Sequence, residues 1–227
     1  MNRMVFWILT VLLSFALLGC LLLTAVQIAT FDISIYENAY AKYNLYDTTE
    51  LTRRDYVDLS RKILEYLNGK TDSIYNRAII FGSEKYLFSQ KELTHMMDVK
   101  ALFTMGYRMR NLSFLALILL LVAIFHAGNR KKHYMGKALF RASLILFAAS
   151  TVLLIIISTD FYNYFTVFHE IFFTNDLWLL NPETDLLINM FPLEFFNNMA
   201  VRIFMYFAVG ILVTASIGYF VYKTADS

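Results

Sequence analysis

Four long apolar stretches dominate the chain, and its charged residues gather between them. Met4–Ile28 runs 25 residues without a charge and Leu112–Ala127 another 16. Ala138–Ser158 carries one charge, Arg141, near its start, and Met199–Tyr222 carries Arg202 near its first turn. A helix rises about 1.5 Å per residue, so the first stretch reaches about 37 Å, against a hydrocarbon core of about 30 Å. Leu112–Ala127 is short by itself, but a helical pattern enters it from upstream. Arg141 is close enough to an end for its long side chain to reach the interface. The pattern predicts an all-α, multi-pass membrane protein with four transmembrane helices.

The intervening polar segments have patterns of their own. Tyr36 and Tyr40 lie four apart on one face of a predicted helix leaving the membrane through an aromatic belt. Thr52-Arg53-Arg54-Asp55 resembles a capping box with Asp in the third position, followed by Leu59, Ile63, Leu64 and Leu67 at helical spacing and Gly69 as a stop. Arg77–Phe81, a turn at Gly82-Ser83-Glu84, and Lys85–Ser89 read as a small β-hairpin. Ser89-Gln90-Lys91-Glu92 is a second capping box, opening a helix that carries Leu93, Met96, Met97 and Leu102 toward the second span, with Gly106 as a place to bend. Between the third and fourth spans, Phe161–Phe173 is aromatic but too short to cross, and Asn181-Pro182-Glu183 reads as a further helix start. So apolar a loop, with acids set into it, is expected to lie on or in the outer leaflet.

Charge orients the spans. Asn129–Arg141 holds Arg130, Lys131, Lys132, Lys137 and Arg141 and no acid, whereas Thr159–Ala200 holds six acids and no Lys or Arg. The excess of Lys and Arg on cytoplasmic loops places the first inside and the second outside, with both termini inside. Ala29–Arg110, with 11 acids and 12 bases, is then a second outer region. The expected division is a first span over 1–28, an extracytoplasmic domain over 29–110, spans over 111–128 and 138–158 joined by a cytoplasmic loop over 129–137, an outer membrane-associated loop over 159–198, and the fourth span and tail over 199–227. Two other readings of the first stretch are less favoured. Its 25 residues exceed a signal-peptide h-region and no A-x-A site follows. Leu17-Leu18-Gly19-Cys20 resembles a lipobox, but three leucines follow where a mature lipoprotein turns polar.

Composition narrows the chemistry. The 227 residues are 58% hydrophobic with net charge +2 and mean hydropathy +0.52, which excludes an ordinary soluble domain and a disordered chain. A single Cys excludes a multi-Cys metal site, and no nucleic-acid motif, P-loop, Rossmann fingerprint or G-x-S-x-G elbow occurs. His169-Glu170 opens an H-E-x-x-H frame, but its last position is Phe173. Of the four histidines, His126 and His133 flank the basic loop, while His95, with Asp98 one turn on, and His169 both fall in outer segments. A histidine of near-neutral pKa serves as general acid or base, though singly each reads as well as a structural residue.

Three stretches carry a resemblance: Tyr36–Asn44 (YENAYAKYN), Glu92–Phe103 (ELTHMMDVKALF), and Phe168–Trp178 (FHEIFFTNDLW) continuing to Met190-Phe191-Pro192. Together they resemble the lipoprotein intramolecular transacylase family, Lit, from the first span to the fourth. Asn181 departs from the Asp more often found before the Pro, and either residue caps a helix. The resemblance implies an enzyme of the outer face of the bacterial plasma membrane. Its partners are lipoproteins with a diacylglyceryl-modified N-terminal Cys, and membrane lipid. It moves the sn-2 acyl chain to the α-amino group of that Cys, giving the N-acyl, S-monoacylglyceryl lyso-form. It implies His95 and His169 as the essential pair, with Asp98, Asn175 and Asp185 in support. Tyr36, Tyr40, Phe168, Phe172 and Trp178 are the candidates to line the acyl chains. No cofactor, metal, nucleotide or nucleic acid is expected. Two rivals stay open: a metal-dependent membrane hydrolase, which chelation would inactivate, and a non-catalytic lipid-binding or transport protein, against which the near absence of polar residues in the spans argues.

Overall fold

A computed structural model describes residues 2–74, 77–80, 83–127 and 131–225. Gly82 of the expected hairpin turn, Asn129 and Arg130 of the basic loop, and the first residue and last two residues of the chain lie outside the described residues. Among the described residues, four helices are long and apolar enough to cross a membrane, as the pattern predicts: α1 (Arg3–Thr30), α5 (Gln90–His126), α6 (Lys131–Thr159) and α9 (Leu193–Thr224). Between α1 and α5 come α2 (Ile33–Lys42), α3 (Leu45–Thr49), α4 (Arg53–Leu67) and the strands β1 (Arg77–Ile80) and β2 (Ser83–Tyr86). Between α6 and α9 come α7 (Phe161–Phe172) and α8 (Leu186–Met190).

The chain forms two compact units, one of Met1–Ala29, Gly106–Asp160 and Val201–Ser227, the other of Thr30–Met105 and Phe161–Ala200. In the first unit, Phe6, Leu13, Leu17 and Ala25 of α1 recur at helical spacing and pack with Ile124, Ala138, Leu139, Ala142, Leu146, Phe207 and Ile211. Thr10 and Ser14, buried in the same stripe, donate their hydroxyls to the Phe6 and Thr10 carbonyls at 2.8 and 3.0 Å, so neither is left unsatisfied. The outer faces remain apolar and exposed, at Phe15, Leu119, Ile155 and Phe220 among others, as helices facing lipid require.

Helices α6 and α9 meet backbone to backbone. A Cβ on Gly136 would lie 2.4 Å from the Tyr222 nitrogen and 2.7 Å from the Gly218 oxygen, and one on Gly218 would lie 2.6 Å from the Phe140 nitrogen. Small residues permit such approach where lipid offers no hydrophobic drive. Gly136→Ala is expected to cost about 1–3 kcal/mol of overpacking, read as a lower unfolding midpoint in detergent; an unchanged midpoint would show that the two helices part freely here.

The second unit is built on aromatic residues. Tyr56 on α4 is fully buried and donates its hydroxyl to the Met190 carbonyl at 3.3 Å. Around it stand Tyr40 at 5.6 Å and Phe191 at 6.3 Å between ring centroids, and Tyr36 packs on Phe191 and Phe195 at 5.8 and 5.3 Å. Helix α4 starts at Thr52, whose Oγ1 accepts from the Asp55 N–H at 3.2 Å. It stops at Gly69, where φ is +74°. There the Lys70 N–H donates to the Glu65 carbonyl and the Gly69 N–H to the Tyr66 carbonyl, a Schellman end.

Two local expectations shift. The strands pair antiparallel with Arg77 opposite Tyr86 and Ile80 opposite Ser83, so Ser83 and Glu84 belong to the second strand and not to the turn. The helix expected at Asn181-Pro182-Glu183 starts later, at Leu186. Asn181 instead closes a turn: its Oδ1 accepts from the Glu183 N–H at 3.0 Å and its carbonyl accepts from the Thr184 and Asp185 N–H groups. A side chain that serves as a helix cap serves equally as an Asx turn. Helix α5 runs through Gly106 unbroken.

Candidate active site

The second capping box sets the site. The Ser89 N–H donates to Glu92 Oε2 at 2.7 Å and the Glu92 N–H to Ser89 Oγ at 3.3 Å, so α5 begins with both partners satisfied. Glu92 does more than the motif asks. It is 1% exposed, and its other oxygen accepts the Leu187 N–H at the start of α8, also at 2.7 Å. Asp185, buried as well, accepts from Ser89 Oγ at 3.3 Å and from the Asn181 N–H at 2.8 Å.

Two more bonds fasten α5 to the segment after α7. Asn175 Nδ2 donates to Asp98 Oδ2 at 3.0 Å while Asn175 Oδ1 accepts the Leu177 N–H, and Lys91 donates to the Leu179 carbonyl. The residues 173–187 are thus held along the first turns of α5 by Glu92, Ser89, Lys91 and Asp98.

That clamping brings the two histidines together. His95, one turn beyond Glu92, and His169, near the end of α7, are 7% and 8% exposed with ring centroids 6.1 Å apart. Phe173 closes on both rings, at 5.2 Å from His95 and 5.5 Å from His169. The residue that breaks the metalloprotease frame is therefore the apolar wall of the pair. Trp178 stacks on His169 at 4.9 Å and 28°, and Phe165 meets its edge at 4.5 Å.

The rings differ in their partners. His169 Nδ1 lies 2.7 Å from the Phe165 carbonyl. A carbonyl only accepts, so Nδ1 carries the proton and Nε2 keeps its lone pair in the neutral ring. His95 Nδ1 is buried with no hydrogen-bond partner among the described residues, a polar atom open to a bound group.

His95 stands 17 residues ahead of Leu112, where the charge-free stretch begins. Burial holds its pKa down to about 4, with His169 adding repulsion and Asp98 opposing. Burial also lowers His169, against the Phe165 carbonyl. Both shifts favour the neutral ring, so the stability they contribute is complete above the unfolded value of about 6.5 and is lost as pH falls below it. In ring-resonance titrations, His95 is expected to protonate near pH 4 and His169 below 6.5. A His95 midpoint at 6.5 or above would contradict a desolvated site.

The other candidates fall into two groups. Asp98, Asn175 and Asp185 tie the segment after α7 to α5 and Trp178 lies on the His169 ring; Phe168 and Phe172 pack on each other at 4.8 Å and 46° and are 40% and 46% exposed on α7. Tyr36 and Tyr40 are not at the pair. Tyr36 is buried with its hydroxyl on the Thr30 carbonyl at 3.0 Å, and Tyr40 donates to the Leu51 carbonyl at 2.8 Å. Burial pushes the Tyr36 phenol above its ordinary range, so it is no proton carrier at neutral pH, and both tyrosines belong to the packing of the unit. Glu92, Phe165 and Phe173 were not among the expected site residues. Among the described residues, no three His, Cys, Asp or Glu side chains are grouped to hold a metal ion.

A family model for the lipoprotein intramolecular transacylase Lit matches residues 11–196. Among solved structures, the chain is similar to the membrane integral lipoprotein intramolecular transacylase Lit from Bacillus cereus, with a TM-score of 0.76 and 17% identity over 98% of each chain. Two variants of that protein, with one histidine replaced by arginine or by alanine, give TM-scores of 0.78 at 19% identity, covering 97% of this chain and 93% or 94% of theirs. At such identity the likeness is one of fold. No curated protein matches the sequence.

Proposed function

Because this chain belongs to the lipoprotein intramolecular transacylase family, Lit, we propose that it moves the sn-2 acyl chain of a diacylglyceryl-modified N-terminal Cys onto the α-amino group of the same Cys. The single observation that carries this reading is the pair of buried, neutral histidines, His95 and His169, 6.1 Å apart.

The amine nitrogen attacks the sn-2 ester carbonyl, a C–N bond forms, and the bond to the glycerol oxygen breaks. One proton leaves the nitrogen and one arrives on that oxygen, so atoms balance without a co-reactant and ester gives way to the more stable amide. The α-amino group, of ordinary pKa about 8, attacks only when neutral, and a glycerol oxygen leaves readily only when protonated. One histidine, neutral at the start, accepts the first proton, and the imidazolium so formed delivers it to the glycerol oxygen, directly or through the other ring. The Nδ1–H tautomer of His169 suits it to accept at Nε2, and the Trp178 face beside it favours the cation that results. His95 Nδ1, without a partner among the described residues, is the group a substrate N–H or hydroxyl satisfies.

Both reacting groups belong to one molecule, so orientation supplies much of the acceleration. Asp98, Asn175 and Asp185 act as positioning residues through the segment they fasten. Phe168, Phe172 and Trp178 offer apolar surface to the acyl chains, and α7 with the segment after it rests in the outer leaflet.

The product has the mass of the substrate. With a synthetic diacylglyceryl lipopeptide, the expected result is loss of amine reactivity at constant mass, with fragment ions placing the acyl group on nitrogen. A mixture of two isotopically distinct substrates should give no crossed product. Free fatty acid would sink the transfer reading and favour a hydrolase.

The basic residues Lys132, Lys137 and Arg141, against the acidic loop over 159–198, support a site on the extracytoplasmic face of the bacterial plasma membrane with both termini inside. Reporters fused after Ser227 or within 129–137 should then be cytoplasmic and reporters within 29–110 or 159–198 outside. A C-terminal reporter outside would overturn this orientation.

A further inference from the structure

The unit of four apolar helices contains a concave site, and it is basic. A cavity of about 330 Å³ is lined by Arg3, Phe6, Trp7, Tyr134, Lys137 and Arg141. The Arg141 guanidinium lies 4.7 Å from the Trp7 ring and 5.6 Å from that of Phe6, and Phe6 packs on Tyr134 at 5.6 Å. Lys137 Nζ lies 5.8 Å over the Tyr222 ring. Three cations therefore share one cavity with no acid in its lining.

Among the described residues none of the three forms an ion pair. The one described carboxylate of this unit is Asp160, 19 residues beyond Arg141 and therefore about 28 Å farther along the helical rise. Lys137 and Arg141, both half-buried, and the exposed Arg3 line one cavity, and like charges so gathered repel one another unless an anion joins them.

We propose that this cavity binds the headgroup of an anionic phospholipid from the leaflet on the side of the basic loop. The Arg141 guanidinium, steadied on the Trp7 face, presents a planar fork to two phosphodiester oxygens, and Lys137 and Arg3 add point charge. The aromatic lining favours a lipid over a dissolved anion, because Trp and Tyr side chains are those that sit at headgroup level. From the cavity, α1 continues with Ile8, Leu12 and Phe15 on one exposed strip, 52%, 48% and 67% exposed, along which acyl chains lie. The site belongs to the other unit from the histidine pair and does not depend on the reaction assigned to that pair.

The test uses the full chain in a zwitterionic detergent, with retained ligand counted by native mass spectrometry. The probes are dioctanoyl phosphatidylglycerol, dioctanoyl phosphatidylcholine, glycerol phosphate and inorganic phosphate. One saturable phosphatidylglycerol per chain is expected, with little phosphatidylcholine retained. Lys137→Gln and Arg141→Gln should each weaken it about fivefold, the worth of one cation at a membrane surface, and Lys132→Gln, outside the lining, should not. Equal retention of the two lipids, or of glycerol phosphate or inorganic phosphate at the same concentration, overturns the proposal. So does wild-type retention of phosphatidylglycerol by both variants. The lipid comparison is made on the unaltered chain, so it decides even where a variant fails to fold.

Discussion

Replacing either His95 or His169 by Ala is expected to lower the transfer rate about 10²–10⁴-fold, the usual worth of a general acid or base. The two rings share the Phe173 wall and lie 6.1 Å apart, and the proposed mechanism has them act on one bound substrate. The double variant should then be little worse than the poorer single one, because groups that work as a unit are not additive. Rate is to be read beside the unfolding midpoint and membrane insertion. If the histidines were only packing elements, losses would follow the midpoint and vary with how well Phe173 and Trp178 collapse into the space. His126→Ala and His133→Ala, outside the site, should keep their activity. A correctly inserted His169→Ala chain that still converts substrate at near the unaltered rate would remove the mechanism.

The four membrane-length helices, both capping boxes and the Gly69 stop were legible because each depends on residues close in sequence. Hydrophobic length needs only a run, and a cap needs a residue three positions on. The His95–His169 pair was half legible: each residue stood out in a segment expected outside the membrane, but their proximity depends on bonds spanning about 77 to 95 positions. Asn181 misled because an Asn before Pro caps a turn as readily as a helix. Tyr36 and Tyr40 misled for another reason. A tyrosine-rich face beside a membrane span suggests contact with lipid, and only the packing of Tyr56, Phe191 and Phe195 around them shows that the face turns into a core. The close approach of Gly136 and Gly218 is of the same kind, since a lone glycine in an apolar run does not say which helix it meets.

Glu92→Ala should destabilise the unit that holds the histidines by about 1–3 kcal/mol, because it leaves the buried Leu187 N–H without its acceptor, whereas the Ser89 N–H, in an exposed residue, turns to water. Ser89 Oγ, which also holds Asp185, then loses the box that orients it. Glu92→Gln should fall between, since its amide retains one accepting oxygen and turns an NH₂ toward the other donor. The consequence for catalysis comes through geometry. Glu92 lies one turn before His95 on α5 and bonds the start of α8, so its loss frees the segment carrying Phe173 and Trp178 to drift from the rings. Water entering the gap would relieve the desolvation that holds His95 near pH 4. In Glu92→Ala the His95 midpoint should therefore rise toward 6.5 while transfer falls, and in Glu92→Gln both should move part of the way. A residue that acted only on overall stability would lower the unfolding midpoint and leave the histidine titration of the remaining folded molecules where it was. That result, or a Glu92→Ala chain with an unaltered midpoint, would show that the capping box merely starts a helix and that other bonds along α5 hold the pair.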